Sequence, residues 1–137
     1  MKTIVLISCV SKKLTHPAKA KDIYVSPLFR LNLRYAESLN PDAIYVLSAK
    51  YGLLALEDEI APYDLTLNTM GTLKIREWAA GVAAQLAAVT DLKHDRFVFL
   101  AGDKYRKFLL PCLTHCDIPM QGLTIGKQLQ FLSNKLK

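Results

Sequence analysis

Three short segments hold the residues whose types and spacing suit chemistry. Ser8-Cys9-Val10-Ser11-Lys12-Lys13 gathers hydroxyls, a thiol and two ammonium groups in one run. Backbone N–H groups leaving a strand, with hydroxyls and a lysine beside them, make a phosphate-binding combination. The Gly-rich frame of a Walker loop is missing. Cys9 has two readings, a nucleophile if Lys12 or Lys13 favours its thiolate, or a small buried residue closing a strand. Ser48-Ala49-Lys50-Tyr51-Gly52 repeats the theme. Lys50 suits a phosphate or a leaving group, Tyr51 a stacked base, and Gly52 a tight turn. An ordinary strand exit with a snorkelling lysine explains the same residues. In Pro62-Tyr63-Asp64 one carboxylate stands beside an aromatic ring in apolar surroundings. Asp64 is the candidate general base or water-orienting group, and the alternative is a turn cap or an ion pair with a lysine.

These segments need elements to position them. Thr3–Ile7 is β-branched and continuously apolar, as a strand buried on both faces should be. A polar, basic loop over 8–22 follows. Ser26 reads as an N-cap and Pro27 as the first turn of a helix to about Leu39, on which Arg30 and Arg34 extend the basic rim. Ala43–Leu47 is a second strand, and 48–70 a long, mostly irregular segment of the kind that is usually functional. The stripe Ile75, Ala79, Val82, Leu86, Val89 makes 72–89 a helix. Arg96–Ala101 is a third strand leading into Gly102, and Asp103–Pro111 a short helix. Ile118–Gln121 reads as a fourth strand and Ile125–Leu136 as a last helix. Alternating strands and helices predict one α/β domain over 1–137. Its mostly parallel sheet of about four strands carries helices on both faces, giving three layers. Ligands of such sheets bind beyond the carboxyl ends of the strands. That rule selects Ser8, Ser48 and Gly102 independently of any motif.

At 137 residues and 51% apolar content the chain can bury a core. Charges interrupt every window long enough to span a membrane, so no membrane partner is expected. The opening apolar run is too short for an export signal. Three cysteines, Cys9, Cys112 and Cys116, make a poor disulfide framework, so a reduced, cytoplasmic setting is expected. Cys112, His115 and Cys116 lack a second ligand pair, and no metal or cofactor is expected. The net charge of +6 is uneven. Residues 1–50 carry 8 Lys/Arg against 3 Asp/Glu, 51–95 carry 3 against 7, and 96–137 carry 7 against 2. If the outer segments share a face, that face attracts a nucleotide or nucleic acid. Oligomeric state is not legible.

The blocks Cys9–Leu14, Pro17-Ala18, Tyr24–Phe29, Leu47–Leu53, Pro62–Leu67, Leu100–Tyr105 and Gly122–Leu129 span nearly the whole chain. Together they resemble a bacterial and phage family of small proteins of unknown function. More distantly, the opening strand with its Ser/Cys/Lys loop is similar to YaaA-type peroxide-stress proteins, which bind DNA. It is also similar to uracil-DNA-glycosylase-like domains. The glycosylase Gly-Gln-Asp-Pro-Tyr loop is absent, and Pro62-Tyr63-Asp64 follows the second strand, so that motif does not carry over. The expectation is a nucleotide- or nucleic-acid-acting enzyme, glycosylase-like in type. In it Ser11, Lys12 and Lys50 hold phosphate, with Lys13 also on the substrate, Tyr51 or Tyr63 stacks on a base, and Asp64 orients water or stabilises positive charge on the sugar. Two alternatives use the same residues differently: a non-catalytic DNA- or RNA-binding stress-response module, or a small-molecule enzyme with Cys9 as nucleophile.

Overall fold

The computed structural model describes residues 1–8 and 12–137. The first strand, β1 (Thr3–Ser8), is the centre of a five-stranded sheet. On one side lies β3 (Ala43–Ser48), parallel to it, and outside that β4 (Gly52–Ala55), antiparallel. On the other side lie β6 (Arg96–Leu100) and β7 (His115–Asp117), both parallel. Two short strands, β2 (Ala18–Lys19) and β5 (Glu59–Ile60), form a separate antiparallel pair.

Alternation along the strands divides the core into two layers. Val5, Ile7, Val46, Val98 and Leu100 face one side. There they meet Ile23 of α1 (Ala20–Ile23), Phe29 and Ala36 of α2 (Pro27–Ser38), and Leu132 of α5 (Ile125–Lys135). Ile4, Leu6, Leu47, Phe97 and Phe99 face the other side. There they meet Ile75, Ala79, Val82 and Leu86 of α3 (Thr72–Val89), and Tyr105 of α4 (Asp103–Arg106). Helices therefore cover both faces of a mostly parallel sheet, as the strand–helix alternation predicts. Among the described residues no helix is long and apolar enough to cross a membrane.

Four expectations need correction. The segment 48–70 is more regular than its sequence suggests: it holds β4, β5 and a single 3-10 turn at Leu67–Thr69. The first loop contains β2 and α1, because its backbone pairs with β5. The last strand is His115–Asp117, not Ile118–Gln121. It pairs with the amino-terminal half of β6, where Asp117 accepts a hydrogen bond from the Arg96 guanidinium. The helix expected at 103–111 breaks into α4 and a 3-10 turn, Leu110–Cys112, that contains Pro111.

Candidate functional site

The carboxyl ends of β1, β3 and β6 end at one rim, and the predicted residues of 1–8 and 12–137 separate there into two neighbouring places. Cys9 and Ser11 lie outside the described residues.

The first place is a groove lined by Lys12, Lys13, Leu14, Thr15, Pro62, Tyr63 and Asp64. Two staples build it. After β1 the chain turns back on itself: Val25 N–H donates to the Lys12 carbonyl (3.0 Å) and Leu14 N–H to the Ile23 carbonyl (2.8 Å). Lys13 is thereby bridged to Tyr24. The β2–β5 pair then ties this loop to the long segment, with Ala20 N–H on the Asp58 carbonyl at 2.8 Å. Glu57 receives both Lys19 (2.7 Å) and Lys21 (3.2 Å), which hold its carboxyl below the ordinary range. The acidic cluster thus neutralises the far end of the basic loop. Lys12 and Asp64 are exposed and join no ion pair among the described residues.

Tyr63 anchors the long segment to the rim. Its hydroxyl accepts from Ser48 Oγ (3.0 Å) and lies 2.7 Å from the Tyr24 hydroxyl. The Lys13 ammonium sits 4.5 Å from the centre of the Tyr63 ring, and that of Lys50 5.3 Å from the Tyr51 ring. Tyr51 and Tyr63 meet edge to face at 5.7 Å, so Lys13 and Lys50 sit on adjacent rings. Ser48 is fully buried. Its Oγ also accepts the N–H groups of Lys50 (3.3 Å) and Tyr51 (3.0 Å), and its carbonyl accepts Trp78 Nε1–H (2.8 Å). These bonds give Ser48 an internal task, that of shaping the turn that carries Lys50 and tethering Tyr63. Gly52 has φ +74° and closes the same turn.

The second place is a cavity of about 410 Å³ between the ends of β1 and β6, with α2 and α5 as walls. The chain leaves β1 through α2 towards β3, then crosses back through α3 to β6. The gap between β1 and β6 is therefore the topological switch point of the sheet, where open α/β sheets bind ligands. Ser8, Gly102 and Tyr105 line it, and Gly102 N–H donates to Ser8 Oγ at 3.1 Å. Tyr105 is buried and its hydroxyl accepts Leu67 N–H (3.3 Å). Leu28, Phe29, Leu100 and Leu129 supply apolar walls, while Ser26, Asn68 and Gln128 add polar groups. The Ser26 hydroxyl accepts Phe29 N–H (3.2 Å) as the N-cap of α2.

Sequence reasoning missed Asn32. It lies on α2, lines the cavity and is 2% exposed, yet among the described residues its Oδ1 has no hydrogen-bond partner. The signal was present: an asparagine at 32 lies one turn from Phe29 and Ala36, on the inward stripe of α2. The two places are neighbours. Phe29 of the cavity packs on Tyr24 (4.9 Å between centres), and Tyr24 on Tyr63 of the groove (6.5 Å). Among the described residues no cluster of His, Cys, Asp or Glu is arranged to hold a metal.

Fold and rim together define an α/β domain with a doubly wound sheet and a cavity at its switch point. A family model described as a family of unknown function, DUF6884, matches residues 4–134, and the chain belongs to that family. No curated protein and no solved structure matches it.

Proposed function

We propose that the protein is a hydrolytic enzyme acting on a nucleotide or nucleic acid, glycosylase-like in its reaction. The observation that carries this reading is Asp64 set with Lys12 and Lys13 in one groove at the carboxyl rim of a parallel sheet. The lysines bind phosphate as point charges, and Lys50 takes the next one along. Asp64 takes a proton from water, whose oxygen bonds to the anomeric carbon of the sugar. The carbon–nitrogen bond breaks, its electron pair leaves with the base, and the base nitrogen takes up a proton. The carboxylate also stabilises the positive charge that builds on the sugar. The resemblance of the opening strand and its polar loop to uracil-DNA-glycosylase-like domains agrees with this chemistry.

The test is release of free base, followed chromatographically, from nucleotides and from single- and double-stranded oligonucleotides. Asp64→Asn is expected to cut the rate about 100-fold or more while leaving binding within a few-fold. Nucleic-acid binding that weakens steeply with salt and survives Asp64→Asn, with no base released by the wild type, would make the protein a binding module instead.

A further inference from the structure

A buried amide oxygen without a partner costs free energy unless a ligand uses it. Asn32 lines the cavity at the switch point, and among the described residues its enclosed Oδ1 is in that position. The chemistry of the cavity narrows what completes it. No described residue that lines it is charged, so the ligand group is neutral. Phe29, Leu100 and Leu129 make most of the surface apolar. Asn32 requires an N–H or O–H donor. A neutral, largely apolar group bearing N–H donors at one edge is a nucleobase, and carboxamides read bases by that edge. At about 410 Å³ the space takes a base with its sugar.

We infer that the cavity between α2 and α5 is a nucleobase-binding site, with Asn32 accepting a hydrogen bond from the base's Watson–Crick edge. The inference deepens the proposed function, since the base is the part of the substrate that the lysine groove leaves unassigned. It also moves the base away from Tyr51 and Tyr63, whose rings already pack on each other and on the lysine ammonium groups.

The protein carries its own probe. Trp78 is the sole tryptophan, and its ring lies 5.5 Å from that of Tyr105 on the cavity wall. The four ribonucleosides and deoxyribonucleosides are titrated against Trp78 fluorescence and against the amide resonances of Asn32, Gly102 and Gln128. At least one is expected to saturate, to shift those resonances, and to bind about tenfold more tightly than its form N-methylated at the Watson–Crick edge. Asn32→Leu, an isostere that removes the acceptor, is expected to abolish that preference. No saturation below about 10 mM, or an N-methyl preference that survives Asn32→Leu, overturns the inference. Base release lost in Asp64→Asn but with no nucleoside in the cavity would overturn the cavity site and leave the proposed function standing. Asn32-dependent nucleoside binding without any base release would do the reverse.

Discussion

Replacing Asn32 by leucine should make the free protein more stable while destroying the site. Both side chains have four heavy atoms in a branched arrangement, so the change conserves shape on a helix face that is 2% exposed. Leaving a buried acceptor unsatisfied costs about 1–3 kcal/mol, and removing it recovers that cost. Leucine adds a few tenths of a kcal/mol in helix propensity at the middle of α2. One side of the residue faces the cavity, so the new methyl groups gain less than full burial. The net expectation is about 1–2 kcal/mol. Unfolding entropy near 2.1 cal/mol/K per residue gives roughly 290 cal/mol/K for this chain, so the melting temperature rises by about 3–7 °C. Calorimetry of the ligand-free wild type and variant checks it. A nucleoside at 100 times its Kd should then stabilise the wild type by about 2.7 kcal/mol and the variant hardly at all. A variant no more stable than the wild type would refute the reasoning, because Asn32 would then be satisfied in the free protein.

Four other substitutions examine the fold and the frame around the site. Gly52→Ala should lose about 2–3 kcal/mol in urea denaturation, since φ is +74° and the added Cβ would lie 2.4 Å from Gln85 Oε1. Gln85→Ala in the same chain should recover only part, because that oxygen also accepts Leu53 N–H at 2.9 Å. Ser48→Ala should cost about 1–3 kcal/mol and speed amide exchange at Lys50 and Tyr51, whose N–H groups lose their acceptor. A serine that served substrate alone would leave both unchanged. Hydrogen bonds from the backbone N–H groups of Asp91 and Lys2 hold the Asp95 carboxyl below its ordinary range. A depressed carboxylate stabilises the fold above its unfolded pKa, and the effect fades as pH falls through the folded pKa. Melting temperature should therefore decline on acidification below about pH 4, and less so in Asp95→Asn.

The sheet was legible because its strands are buried on both faces. Thr3–Ile7 reads as a continuous apolar run and Arg96–Ala101 as a strand leading into Gly102, and each alternates between the two core layers in the structure. The 3.6-residue stripe placed α3 at its observed limits. Short edge elements were not legible. β7 has three residues, His115–Asp117, and its pairing is set by the neighbouring β6 backbone rather than by any pattern of its own. β2 and β5 have two residues each and exist only because two loops distant in sequence pair with each other. No local signal could announce that contact.

That contact decides the site. The strand-end rule found Ser8 and Gly102 because it needs only the strand limits, and both line the switch-point cavity. It could not bring Pro62–Asp64 to the rim, since that depends on the β2–β5 pair and on the Ser48–Tyr63–Tyr24 hydrogen bonds. Nor could it separate one rim into two environments. The groove receives lysines and a carboxylate, while among the described residues the cavity receives no charge at all. A nucleotide has the same division, a charged phosphate and a neutral base. The aromatic chain Phe29–Tyr24–Tyr63, its first two rings buried, packs the wall of the cavity against the groove. Asn32 escaped notice because an asparagine on a helix reads as surface until the burial of α2 against the sheet is known.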